Sequence, residues 1–369
     1  MNVGYRAEIF LLCLSSMSLP VFAQQPVGST QVTTTQLQQT PTSVAAGPLV
    51  LDVVVTDKAG KAVQGLQEKD FTVLDNGHPQ SLLSFRSEGN AVAAATPQPA
   101  EPPVKIILLV DEVNTNFNRV AYERDQIKRF LLQDNGVLAH PVSMAFFSDT
   151  GTEMQENASR DGNALLASFD QHETALRSIR RGQGFYGAVE RFQLSLTALN
   201  ALVAKEGRLP GRKIVIWISP GWPMLSGPGV ELSAKNEASL FASIVSVSTG
   251  LRASRMTLYS VDPLGAEAAG GIREFYYKEF LKPVTAARKM QAGNLALQVL
   301  VEHSGGLALT ASNDIAGQIA RCVQDADSFY TLTVDPAKAE QPNEYHAIEV
   351  KLATPGLTAR TLTGYYAQP

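Results

Sequence analysis

The sequence predicts an α/β protein: a mostly parallel, doubly wound sheet inserted into a small β-sandwich made from both ends of the chain. Three observations carry this. Residues 104–110 form an apolar run that ends in Asp111 and a polar turn, the pattern of a strand buried on both faces that delivers a carboxylate to the carboxyl edge of a sheet. Strand-like and helix-like segments then alternate up to residue 327, as a parallel sheet with crossover helices requires. Residues 47–86 and 328–369 carry short β-rich runs between turns, and the first group is too small to bury a core alone.

Taken in order, residues 1–23 read as a secretory leader, with Arg6, an apolar core from Ile9 through Leu14, and small residues suited to cleavage after Ala23. The core falls short of the ~20 apolar residues that span a bilayer. No transmembrane segment is expected after leader removal, and the protein is expected to be secreted or periplasmic. Residues 24–46, rich in Gln, Thr, Ser and Pro, read as a disordered linker, and residues 87–103 as a second, Pro/Ala-rich one. Between them, Leu49 to Thr56 and Phe71 to Leu74 are strand-like, each followed by a Gly-containing turn.

Residues 104–327 make up the α/β region. After the opening strand the pattern predicts a helix over 119–133, with Ala121, Ile127, Phe130 and Leu131 as its buried stripe. A strand over 142–147, an edge strand near 152–155 and a helix near 163–169 follow. Next come a long helix over 186–205, a strand over 213–219, a helix over 232–253 and a strand over 256–262. A helix over 291–303, a short strand over 307–310 and a helix over 314–324 close the region. Strands over 328–334, 345–352 and 358–366 complete the sandwich. With Cys13 inside the leader, Cys322 is left alone, so no internal disulfide forms. Its spacing from Ile315, Ile319 and Val323 puts it on an apolar helix face.

At 44% hydrophobic and 18% charged residues the chain has ordinary globular composition, and its net charge of −4 without a Lys/Arg run argues against a nucleic-acid partner. The five histidines show no paired metal spacing and lie in no nucleophile motif. Asp111, Asp149 and Asp262 fall at strand ends on one edge, as strand-ending aspartates do in any such fold. Gly182-Gln183-Gly184-Phe185-Tyr186-Gly187 matches G-x-G-x-x-G by spacing, yet the strand that should precede a dinucleotide loop is missing; it reads as a loop opening a helix.

Two stretches near the start, Val53 to Leu66 and Asp70 to Gly77, are followed far downstream by Tyr259-Ser260-Val261-Asp262-Pro263-Leu264-Gly265, Ser304-Gly305-Gly306-Leu307 and Gly364-Tyr365-Tyr366. In this order they resemble the landmarks of the exported bacterial VWFA-related proteins known mainly from acidobacteria, and the α/β region resembles a von Willebrand factor A-type domain. The resemblance implies a metal-ion-dependent adhesion site at the carboxyl edge. There Asp-x-Ser-x-Ser, a Thr and an Asp hold Mg²⁺, and a partner's carboxylate completes the shell. Asp111-Glu112-Val113-Asn114-Thr115 keeps Asp111 and Thr115, whereas Val113, Gln183 and Pro220 stand where Ser, Thr and Asp are expected. Val and Pro side chains offer no oxygen. The degenerate motif therefore implies no cofactor, or at most a weak Mg²⁺, Mn²⁺ or Ca²⁺ site near ~10⁻⁴–10⁻³ M held by Asp111 and Thr115.

The expected function is non-enzymatic binding, adhesion or scaffolding, with another protein meeting Asp111, Asn114, Thr115, Gln183, Ser219 and Trp222 at this edge. Trp222 has two readings, a contact anchor and a plug folded back over the loop. One of Arg177, Arg180 or Arg181 is a candidate counter-charge for Asp111. The alternatives are a hydrolase-like enzyme using carboxylates at the same edge and an A-type fold that is purely structural.

Overall fold

Lys213–Ile218 (β9) is buried at every position, which a strand with five consecutive apolar residues after its lysine achieves only when helices cover both faces of its sheet. The computed structural model describes residues 47–88, 104–172, 184–225, 232–266 and 276–369. The expected leader, the first linker, nearly all of the second, Gln183 and the three arginines before it lie outside them. Around β9 are Lys105–Asp111 (β5), Val137–Ser148 (β6), Gly151–Met154 (β7), Met256–Val261 (β10) and Ala308–Leu309 (β11). They form a sheet in the order β11-β10-β9-β5-β6-β7, with Ser159–Asp161 (β8) also pairing with β6. All neighbours are parallel except β7 and β8, which run antiparallel to β6.

Alternation along each strand splits the apolar residues between two cores. Ile106, Leu108, Ile214 and Ile216 face Phe117–Leu131 (α1), Gly162–Gln171 (α2) and Ile315–Gln324 (α6). Ile107, Leu109, Val215 and Trp217 face Gly184–Glu206 (α3), Ala234–Ala253 (α4) and Leu297–His303 (α5). The sheet is thus doubly wound. Helix starts are set by local chemistry: Asp314 accepts from Gly317 N at 2.9 Å to open α6, and Ser233 accepts from Asn236 N at 3.2 Å to open α4. Cys322 is buried on the inner face of α6, and burial pushes its thiol pKa up, away from reactivity.

Two four-stranded sheets flank this unit. Leu49–Thr56 (β1), Leu82–Glu88 (β4), Phe329–Val334 (β12) and Thr358–Arg360 (β14) lie in the order β14-β1-β12-β4. Phe71–Asp75 (β2), His78–Gln80 (β3), Glu344–Leu352 (β13) and Gly364–Ala367 (β15) lie in the order β15-β13-β2-β3. Each mixes strands from both ends of the chain. Leu49 pairs with Val334 and Val73 with Val350, and Leu49, Leu51, Val53, Phe71, Val73, Tyr330 and Leu332 share one core.

Several elements differ from the sequence reading, and Ala121, expected in the buried stripe of α1, is exposed. The single strand expected over 358–366 is two, since the chain leaves β14 beside β1 and re-enters as β15 beside β13. The helix expected over 291–303 is a 3₁₀ turn at Ala292–Leu295 followed by α5, the break falling at Ala296 in extended backbone. Strands β3 and β4 had no separate expectation, and β4 continues to Glu88, past the expected boundary at 86.

Buried polar groups join the flanking sheets to the α/β unit. Asp325, just beyond α6, receives Tyr259 Oη at 2.7 Å and Arg321 Nη1 at 3.2 Å, and Arg360 Nη2 of β14 also donates to it. Asp52 of β1 holds Arg255 through Nε at 3.2 Å and Nη2 at 2.5 Å.

Candidate functional site

Strand β5 lies between β6, the next strand in sequence, and β9, which comes much later in the chain. Chain connections therefore diverge on either side of its carboxyl end, the place where open α/β sheets form a crevice. Asp111 ends β5 there and is 0% exposed. Five donors converge on its carboxylate. Val113 N and Asn114 N donate to Oδ1 at 3.0 and 2.9 Å. Asn114 Nδ2, Trp217 Nε1 and Ser219 Oγ donate to Oδ2 at 2.9, 3.1 and 2.7 Å. Burial raises the Asp111 pKa, and the Asn114, Ser219 and Trp217 hydrogen bonds oppose that rise.

The Ser219-Pro220-Gly221 turn continues this enclosure. Gly221 adopts a left-handed φ of 95°, and a side chain there would collide with Gln298. The turn sends Trp222 back over the strand end, where it packs edge-on against Trp217 at 5.1 Å and is 4% exposed. Trp222 is therefore the plug and not an exposed contact residue: an indole gains more from the apolar surface of Trp217 than from water.

On the other flank, Glu112 Oε1 lies 2.9 Å from His172 Nε2, whose ring stacks on Phe146 at 3.7 Å. Glu123 of α1 is 3% exposed; neither of its oxygens makes a well-formed hydrogen bond, but the Thr115 hydroxyl is near enough to act on its carboxyl. Burial raises its pKa well above the usual range, and the charges of Asp111 and Glu112 add to the rise. Asn114 Oδ1 and Thr115 Oγ1 are likewise buried without a well-formed hydrogen bond.

The residues as arranged do not fit a divalent ion on Asp111. A cation needs the carboxylate lone pairs, and here N–H and O–H groups already engage both oxygens. Trp217 cannot turn its indole N–H into an acceptor. Among the described residues no group of three or more His, Cys, Asp or Glu could hold a metal ion. Ser219 is hydrogen-bonded directly to a carboxylate and is buried with it, which is not the geometry of an activated nucleophile.

The structure thus brings together Asp111, Asn114 and Ser219 of the sequence-predicted set, with Thr115 close behind and Trp222 turned inward. Trp217, Glu123 and Ser195, the last accepting from Asn114 Nδ2 at 3.1 Å, are site residues that sequence reasoning passed over. Trp217 carried a usable signal, since it lies two residues before Ser219 on a strand and so shares its face. Glu123 and Ser195 carried none beyond being polar residues in helices.

The rim of this edge is aromatic. Phe117, at the first turn of α1, is 80% exposed, and Tyr186, at the first turn of α3, is 86% exposed. No helix among the described residues is long and apolar enough to cross a membrane.

No family model and no curated relative matches the chain. Solved structures give weak matches. The pilus adhesin SpaC from Lactobacillus rhamnosus GG matches 84% of this chain and 49% of its own, at 11% identity and a TM-score of 0.35. The human COPII-coat protein Sec24c matches 73% of this chain and 44% of its own, at 10% identity and a TM-score of 0.33. The VWA domain of SpRpn10 matches 48% of this chain and 95% of its own, at 11% identity and a TM-score of 0.24. The chain thus spans about half the length of the first two. Likeness of this degree says nothing of activity, ligand or partner.

Proposed function

We propose that this chain is an exported, non-enzymatic protein-binding module that presents the carboxyl edge of its parallel sheet to another protein without a bridging metal. The observation that carries the reading is a division of labour at that edge. Asp111 is enclosed and fully hydrogen-bonded, while Phe117 and Tyr186 project from the rim at 80% and 86% exposure. Large aromatics held on rigid helix starts beside a sealed core are the residue types that dominate protein interfaces. The Asp-x-x-x-Thr remnant at Asp111 and Thr115, read as an A-type motif that has lost its ion, supports the same role. Hydrolysis through Asp111 and Ser219 has less support, because that carboxylate and that hydroxyl are buried and hydrogen-bonded to each other.

The test uses a photo-crosslinking amino acid at the exposed position 118, beside Phe117, in the cell that produces the protein. A trapped protein partner is expected. Its capture should vanish in the doubly substituted Phe117→Ser, Tyr186→Ser chain and persist in EDTA. Capture unaffected by the double substitution, or dependent on a divalent ion, would overturn the reading.

A further inference from the structure

At the opposite end of the sheet, where Met256 and Thr257 open β10, a half-enclosed cavity of about 60 Å³ lies between α4, α5 and the flanking strands. Ile244, Leu251, Val284, Leu300, Leu362 and Tyr366 give it apolar walls. Two polar groups face this lining without partners: Arg252 Nε and Thr361 Oγ1 are buried and make no hydrogen bond. In an apolar surrounding such groups are costly unless something pairs with them.

The charges around the cavity do not balance. Asp52 and Arg255 both line it, but they satisfy each other through a two-point ion pair. Among the described residues Arg252 has no carboxylate partner; its guanidinium only faces the Tyr365 ring at 5.4 Å. Burial lowers the His303 pKa to about 4, so this lining imidazole is neutral near pH 7 and supplies no second cation. One buried guanidinium N–H and one buried hydroxyl, both on residues that line the apolar slot, are left unmet.

We infer that this cavity is a binding site for a short-chain monocarboxylate, whose carboxylate pairs with Arg252 and Thr361 while its alkyl tail lies against Leu251, Val284 and Leu300. A guanidinium edge matches a carboxylate in shape and charge, which favours this anion over a spherical one. The small space of about 60 Å³ restricts the occupant to a short chain, and butyrate is the probe for that class. A hydrocarbon alone would leave both donors unpaired, and a cation would meet Arg252. The site is separate from the Asp111 edge and independent of its proposed role.

The experiment is calorimetric titration of the full chain at low ionic strength with butyrate, 1-butanol and butylamine. Saturable binding of butyrate is expected, with butanol weaker by about tenfold or more and butylamine silent. Arg252→Met should weaken butyrate by at least that factor and leave butanol unchanged. Thr361→Val should weaken it less. Ser248→Leu, which fills the cavity from α4, should abolish both while the melting transition persists. Absence of butyrate binding, equal affinity for butanol, or Arg252→Met and Thr361→Val both binding as wild type would overturn the assignment.

Discussion

Replacing Asp111 tests the enclosed carboxylate most directly. In Asp111→Ala five donors lose their acceptor at once, but they do not lose equally. Asn114 Nδ2 keeps Ser195 Oγ at 3.1 Å, and the Ser219 hydroxyl is free to rotate toward another acceptor. Trp217 Nε1, Val113 N and Asn114 N have no such second choice. At about 1–3 kcal/mol for each stranded buried donor, offset by no longer having to bury a carboxylate, the net loss is about 3–5 kcal/mol. Asp111→Asn keeps one acceptor oxygen but turns an amide N–H₂ toward the donors on the other side, and should lose about 2–3 kcal/mol. The assay is urea unfolding followed by intrinsic fluorescence, which reports this site because Trp217 and Trp222 are the chain's two tryptophans. Each variant is measured in EDTA and in millimolar Mg²⁺. No Mg²⁺ effect is expected, whereas an ion with a Kd of ~10⁻⁴–10⁻³ M would add about 0.4–1.4 kcal/mol to the wild type at 1 mM. Wild-type stability in Asp111→Ala, or an Mg²⁺-dependent gain that this variant loses, would refute the reasoning.

Trp222→Ala removes a buried indole packed against Trp217 and should cost about 3–5 kcal/mol by the same assay. Phe117→Ser with Tyr186→Ser, both on exposed positions, should stay within about 1 kcal/mol of wild type, so that lost partner capture is not lost folding. Glu123 has a raised pKa in the folded state, so its contribution to stability is fully present below its ordinary value of 4.5 and is lost as pH rises through the folded value. Glu123→Gln should therefore gain about 1–3 kcal/mol relative to wild type on the alkaline side and little on the acid side, visible as a flatter plot of melting temperature against pH; an unchanged slope would contradict it. Arg360→Met leaves Asp325 with Arg321 and Tyr259 as side-chain partners at the seam between the flanking strands and the α/β unit. It should cost about 3–5 kcal/mol in the urea midpoint, and a neutral result would show that the two remaining donors satisfy the carboxylate.

Sequence alone determined the elements and their faces. The runs 105–111, 213–218 and 256–261 are mostly apolar because helices cover both sides of their sheet, and that local pattern is enough to recognise central parallel strands. It also placed Asp111 at a strand end. What it did not determine is which faces meet. Asp111 and Ser219 are 108 residues apart, and only the alignment of Val110 with Ile218 across β5 and β9 brings the next residues of both strands within hydrogen-bonding distance. The inward turn of Trp222 depended likewise on an indole already standing on the neighbouring strand, and the cavity beside Arg252 on β1, β13 and β15 arriving from opposite ends of the chain. Burial pattern is written in the spacing of neighbours along the chain; partnership between distant strands is settled by packing, which no local spacing records.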